Sequence, residues 1–347
     1  MANNGDKFLL VKGVTGLGDR MLCVLGGILY ARLSGRTLVI DWCDPFYSSD
    51  GSNVFHRFFE SAFCSPTVNI PLTDSVYPRV WRGRLRDHAI EIARENEFNS
   101  EEIRRALSID LGNPDYPEDL VVLLEYDAHV DRLRPHFRGA LPQFDQMSTA
   151  DILAKLFRED LLLRREIRAR VDHFKSSHFH ARTVGVHVRY SDYRVRLFAI
   201  IKQLNALLKR QPDLQIFLAT DNLEVRKMFD ANYTGVVSTP HWYAPPGAPI
   251  HDNRTKPDPT ETAIEALIDL YLLADCDYLI FDGSSSFGWV ANLLSAAPAH
   301  RKLDVDPTGH LGKKRRLRAV VTRLLRGAKF SSWGFRLLPK LLPIRRL

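Results

Sequence analysis

Cysteine is scarce in this chain. Four occur in 347 residues, at Cys23, Cys43, Cys64 and Cys276, and no CxxC pair exists. That spacing excludes a disulfide framework and gives no zinc-type ligand set. Cys23 and Cys276 sit in apolar stretches and read as reduced structural thiols. Long hydrophobic runs are also missing, since no uncharged apolar stretch reaches the roughly 18 residues of a membrane span. The start, Met1 to Lys7, lacks the basic-then-apolar design of a signal peptide, which predicts a cytoplasmic protein. There is no GxxxxGK[ST], no HExxH and no GxSxG, so P-loop, zincin and serine-hydrolase chemistry have no sequence support. Acidic residues vanish at one end: Pro307 to Leu347 holds twelve Lys and Arg and no Asp or Glu. Taking those twelve charges from the net +7 leaves −5 on the first 306 residues. An anionic partner is therefore expected for the tail and not for the body.

What is present is an ordinary globular composition, 45% apolar and 26% charged, at a length that implies two domains. Phe8 to Val14 reads as a strand. It enters a glycine turn, Thr15-Gly16-Leu17-Gly18-Asp19-Arg20, then a helix from Met21 to Leu33 that Gly35 stops, then a strand from Thr37 to Asp41. This β-loop-α-β unit opens a Rossmann-like domain, but its glycines read GxGDR and the dinucleotide fingerprint is incomplete. From Trp42 to Gln146 the pattern is irregular, with a short helix at Glu101 to Leu107 and a strand at Leu120 to Leu124. Met147 to Phe174 reads as one helix.

The second half alternates more cleanly. Strands are expected at Thr183 to Val188, Leu214 to Ala219, Gly235 to Ser238 and Tyr278 to Phe281. Helices are expected at Phe198 to Leu208, Leu223 to Phe229, Glu261 to Leu273 and Phe287 to Leu294. Such alternation implies a parallel sheet. The expected organisation is a Rossmann-like domain over 1–178, a second over 179–306, and a basic amphipathic tail over 307–347.

Four polar clusters fall at strand carboxyl ends or helix amino ends: Gly16 to Arg20, His187 to Asp192, Thr220 to Asn222, and Gly283 to Ser286. Open α/β sheets bind ligands at that edge. His187 and Arg189 are two apart on a strand and share a face, and the planar fork of Arg189 suits a phosphate. Gly283-Ser284-Ser285-Ser286 joins a strand to a helix, where hydroxyls and free N–H groups can seat an anion. Each cluster has a plain alternative: a surface ion pair for His187 and Arg189, a tight turn for Gly16, simple helix capping for the serines. Asp269 interrupts an otherwise apolar helix, so it needs either donors or a place on the solvent stripe. Two DxD strings, Asp275-Cys276-Asp277 and Asp304-Val305-Asp306, are poorly placed for a metal, because neither follows a catalytic strand.

Taken together, the motifs resemble the α1,6-fucosyltransferase superfamily (NodZ-like, glycosyltransferase family 23). The stretches that carry the resemblance are Gly16-Leu-Gly-Asp19, Ser34-Gly-Arg-Thr-Leu-Val-Ile-Asp-Trp42, Arg165-Glu-Ile-Arg-Ala-Arg-Val-Asp172, Val184-Gly-Val-His-Val-Arg189, Phe217-Leu-Ala-Thr-Asp221, Ala266-Leu-Ile-Asp-Leu-Tyr-Leu-Leu-Ala274 and Ser284-Ser-Ser-Phe287. They come in family order across roughly residues 8 to 308. The resemblance implies a GT-B-like α/β fold, GDP-fucose as donor, inversion, and no metal or other cofactor. It implies that Arg189 binds the diphosphate, that His187 and Asp269 contact guanosine, and that Ser285, with Ser284 beside it, contacts a phosphate. Gly16 and Gly18 would form a loop facing the donor, and Asp221 matches the family's acidic strand end. The stretch after Arg189 carries Tyr190, where the core enzymes have a second arginine, and no Glu. Asp192 is then the candidate for activating the acceptor hydroxyl.

The expected acceptor is a glycan or lipid-linked glycan. Another GDP-sugar, an α1,2 linkage, or an inactive nucleotide-binding membrane protein are the alternatives. In the tail, Leu317, Val320, Val321, Leu324, Leu325 and Ala328 form one helical stripe, flanked by Arg316, Arg318, Arg323, Arg326 and Lys329. That composition predicts an anionic membrane surface as the partner of 311–347, on the inner face, and no nucleic acid. A tail helix packed on the first domain is the structural alternative.

Overall fold

In the computed structural model, residues 7–64, 66–243, 245 and 256–306 are described. The tail and most of the proline-rich loop after Thr239 lie outside them, so the expectations placed there stand apart from the structure. The chain divides into two compact units. Of the described residues, one holds those up to Arg168 together with 256–264; the other holds those of 169–245 and of 265–306. The sequence-based division at 178/179 falls instead at the end of helix Arg165–His178.

In the first unit the strands are β1 (Phe8–Lys12), β2 (Thr37–Asp41), β3 (Phe59–Glu60), β4 (Val76–Tyr77), β5 (Leu120–Leu123) and β6 (Leu162–Leu163). The main sheet is parallel, in the order β2-β1-β5-β4. Leu9, Leu10 and Val11 are wholly buried, as a central parallel strand covered on both faces requires. Helix Leu17–Ser34 is buried from Leu17 to Ala31 apart from Asp19 and ends at Gly35, whose φ of 67° is the left-handed stop that glycine accepts most readily. Gly26 lets this helix approach the backbone of Ala128, because a Cβ there would lie 2.8 Å from the Ala128 carbonyl oxygen. The helix starts at Leu17 and not at Met21, so Gly18 is a buried residue of its first turn and not part of the loop. The expected helix over 147–174 is two, Thr149–Glu159 and Arg165–His178. Between them β6 pairs antiparallel with β3.

The second unit contains β7 (Thr183–Val188), β8 (Gln215–Thr220), β9 (Val236–Val237), β10 (Tyr278–Phe281) and β11 (Lys302–Asp304). All pairings are parallel, in the order β11-β10-β7-β8-β9. Every residue of β7 is buried. The chain steps from β7 to β8 to β9 on one side, then crosses to β10 and β11 on the other. The order therefore reverses between β7 and β10, and their carboxyl ends frame the switch point at which sheets of this kind bind ligands. Helices Leu197–Arg210 and Leu223–Asn232 follow β7 and β8; helix Ser286–Leu294 follows β10.

Candidate functional site

At the carboxyl end of β7, His187 is 5% exposed and its Nδ1 has no hydrogen-bond partner among the described residues. Its ring stacks on Phe287, with centroids 5.1 Å apart. Burial first, and then the nearby charge of Arg189, push the imidazole down to about 3, so it is neutral near pH 7. Gly288 makes room for it, since a Cβ at that position would lie 2.9 Å from His187 Nδ1.

Arg189 lies one residue beyond the strand. Its Nη2 donates to both oxygens of Asp192, each at 3.0 Å, and its Nε lies 3.3 Å from Oδ1. Asp221, at the end of β8, clamps the same loop: it accepts from the Tyr190 N–H at 2.6 Å and the Ser191 hydroxyl at 2.5 Å. Burial raises its pKa, and those two hydrogen bonds oppose the rise. Asp221 is thus a loop holder. Asn222 caps the next helix through Val225 N–H at 3.0 Å and donates to the Tyr190 carbonyl at 3.2 Å.

Across the switch point, Asp282 follows β10. It is 1% exposed and accepts from the Ser284 N–H at 3.0 Å and from the Ser284 hydroxyl. The Tyr193 hydroxyl donates to Ser284 Oγ at 3.0 Å, so Ser284 ties the two loops together. Gly283 donates to Asp304 at 2.7 Å, and a Cβ on Gly283 would lie only 2.3 Å from that carboxylate, so a side chain there would displace it. Ser285 differs from its neighbour. It occupies the cap position of helix Ser286–Leu294, yet it makes no capping hydrogen bond, and its buried Oγ has no partner among the described residues. Simple capping therefore does not account for it. The helix's first N–H groups have no partner within the helix, and the unused hydroxyl stands beside them.

Asp269 is not on a solvent stripe. It is 7% exposed, accepts from the Thr239 hydroxyl at 2.5 Å, and lies 3.9 Å from His241 Nδ1. Burial raises its pKa; His241 and Thr239 oppose the rise. His241 Nε2 also lies 3.0 Å from the Thr220 carbonyl, which fixes this cluster to the end of β8.

The DxD strings are occupied in other ways. Asp277 accepts from Thr183 N–H at 2.8 Å at the amino edge of the sheet, and Asp275 lies 3.7 Å from Lys175. Asp304 holds Gly283, and Asp306 pairs with Arg196 at 2.6 Å. Among the described residues no three His, Cys, Asp or Glu side chains converge as a metal would require.

Gly16 and Gly18 belong to the first unit. Gly16 caps helix Leu17–Ser34 with open space around its Cα, and the left-handed residue of the turn is Thr15, with φ 63°. Arg20 is buried against Asp44 at 2.7 Å and over the Tyr47 ring. One pair at this sheet's carboxyl edge escapes sequence reasoning. Glu125, 7% exposed in its side chain, lies 3.1 Å from His129 Nε2, and His129 takes the unusual φ of 45°. Asp282 and Arg196 also escape it, although an acid between an apolar strand and Gly-Ser-Ser-Ser is a readable signal for the first.

A family model described as Nodulation protein Z (NodZ) matches residues 147–312. Nodulation protein Z of Bradyrhizobium diazoefficiens is 24% identical over 339 residues, covering 89% of this chain and 84% of the relative. A crystal structure of NodZ alpha-1,6-fucosyltransferase soaked with GDP-fucose superposes with a TM-score of 0.57 at 25% identity, over 84% of this chain and 93% of the other. The same enzyme co-crystallised with GDP gives 0.57 at 26%, over the same shares. The chain is similar to the NodZ fucosyltransferases, which are glycosyltransferases. Its two α/β units with parallel sheets are those of a GT-B-like fold. The resemblance read from the motifs of both halves is upheld, and the family model covers His187 to Asp192, Asp269 and Gly283 to Ser286.

Proposed function

We propose that this chain transfers L-fucose from GDP-fucose to a hydroxyl of a glycan or lipid-linked glycan, in α1,6 linkage, with inversion and without a metal. The observation that carries the reading is the pair of buried, unused polar atoms at the β7/β10 switch point, Ser285 Oγ and His187 Nδ1, with Arg189 on the same strand end. Buried polar atoms are normally paired, so two without a partner among the described residues, at a ligand-binding edge, point to a polar ligand. The NodZ structures with GDP and GDP-fucose supply its class.

In this reading the second unit binds the GDP-sugar and the first serves the acceptor. Arg189, the Ser285 hydroxyl and the first N–H groups of helix Ser286–Leu294 neutralise the diphosphate as negative charge grows on the leaving oxygen. His187 and Asp269 contact guanosine; Ser284 and Asp221 act by holding their loops. Gly16 stays with the donor-facing turn, without Gly18. The acceptor O–H gives its proton to Asp192 while its oxygen attacks the anomeric carbon. The bond to the phosphate oxygen breaks with its electron pair on GDP. Asp192 now fills the fork of Arg189, and a diphosphate competing for that fork releases the carboxylate. The basic stretch 311–347 binds an anionic membrane surface on the cytoplasmic side.

Calorimetric titration with GDP and GDP-fucose, followed by turnover on a glycan array, tests the proposal. Binding of both and fucosylation of array members are expected. Absence of GDP binding by folded protein refutes it.

A further inference from the structure

We propose that Arg196 is a positioning residue for the phosphate seat, holding the Asp282–Ser285 loop in the form that leaves Ser285 Oγ unused. The inference rests on the donor reading above. Arg196 closes the loop that begins at Arg189, and it joins three separate segments. Its backbone N–H donates to Asp282 Oδ2 at 3.1 Å, and its Nη1 donates to the same oxygen at 3.2 Å. Its Nη2 donates to Asp306 Oδ1 at 2.6 Å. The two carboxylates are 1% and 4% exposed, against 28% for the guanidinium. Two buried acids facing each other would repel; one planar fork between them supplies charge to both and fixes their separation.

The consequence runs on from Asp282. Arg196 holds Oδ2 through its backbone N–H and Nη1 and reaches Oδ1 only at 3.5 Å; Oδ1 receives the Ser284 N–H at 3.0 Å and the Ser284 hydroxyl. Ser284 is thereby committed, while Asp304 pulls the Gly283 N–H from the other side. The Ser285 N–H closes the turn onto the Asp282 carbonyl at 2.9 Å. A loop pinned at 282, 283 and 284 has no freedom to swing Ser285 into a cap. Arg196 touches no ligand in this scheme. It shares its loop with Arg189, so one residue sets the spacing between the diphosphate's cation and its hydroxyl.

The test uses the full chain and two probes, GDP and guanosine, with affinities from calorimetry and NMR titration. Arg196→Lys keeps a charge but cannot bridge both acids in plane. It is expected to weaken GDP about tenfold or more, with guanosine affinity changed less than twofold. Asp306→Asn, which loosens only one arm of the fork, is the milder second variant and should shift GDP in the same selective direction. Equal losses for GDP and guanosine, or no loss for either, in folded protein overturns the positioning role. Failure of the wild type to bind GDP overturns the donor reading itself.

Discussion

Ser285→Ala separates a helix cap from a phosphate ligand, because the two roles predict opposite ledgers. A capping serine replaced by alanine typically costs about 1 kcal/mol of stability, through loss of the side-chain bond to the helix N–H. Here that bond is absent, and the hydroxyl is buried without a partner. A buried unsatisfied polar group costs roughly 1–3 kcal/mol, so its removal should leave the melting temperature unchanged or a degree or two higher. Binding should move the other way. A hydrogen bond to a charged group contributes about 1.5–3 kcal/mol, which is roughly 10- to 100-fold in affinity. Thermal unfolding followed by differential scanning fluorimetry, and GDP titration of the same sample, give both numbers. A Tm several degrees lower with GDP affinity intact would show that Ser285 only supports the helix, and would refute the argument from the orphaned hydroxyl.

Arg189→Lys should lose on the order of 3 kcal/mol of transition-state stabilisation in a turnover assay, because an ammonium cannot copy the fork; wild-type kcat/KM in folded protein removes Arg189 from the site. Asp269→Ala should weaken GDP by roughly 2 kcal/mol and UDP much less, since discrimination by hydrogen bonds to a buried carboxylate depends on the base; equal small losses would return Asp269 to packing with Thr239. Turnover should persist in excess EDTA, and loss that manganese or magnesium restores would put a metal into the mechanism. Full-length protein should sediment with anionic vesicles and come off in high salt, at about 1 kcal/mol per basic residue near the surface; a chain truncated after Pro307 that still sediments would disprove the role given to 311–347.

The central strands were legible because each is a short apolar run that must be buried on both faces, as with Leu9 to Val11 and Val184 to Val188. Their carboxyl ends were legible for the same reason: polarity begins abruptly at His187 and at the Gly283 to Ser286 run, although Asp282 just before that run was passed over. The segment 147–174 misled because its leucines keep a helical step across Asp160 to Arg164. What breaks it is the pairing of Leu162 and Leu163 with Glu60 and Phe59, a partner about a hundred residues away that no local period records. The stretch 42–146 lacked rhythm because it is built from short pieces around individually buried residues. Trp81, for example, donates to the Leu107 carbonyl at 2.8 Å. Arg189 and Ser285 were readable one at a time. The support beneath them was not, because residues 196, 282 and 306 meet only once the strand order is known.

That support explains how the proposed diphosphate site can be crowded with acids. Asp192, Asp221, Asp282, Asp304 and Asp306 all stand at the carboxyl edge of the second sheet, and a bare count of charge would make it repel a diphosphate. The hydrogen bonds show each one committed. Asp221 holds Tyr190 and Ser191, Asp282 holds Ser284, Asp304 holds Gly283, and Asp306 is matched by Arg196. Asp192 is matched by Arg189 itself. Charge spent on loop N–H groups and guanidinium forks adds little field toward the ligand, while it freezes the loops that present donors. Among the described residues the Ser285 hydroxyl and His187 Nδ1 have no hydrogen-bond partner, the first N–H groups of helix Ser286–Leu294 have none within the helix, and Arg189 beside them sets its fork on Asp192, three residues along its own loop. Preorganised donors of that kind need no reorganisation when charge develops. The acids are the means by which the loops are made rigid enough to supply them.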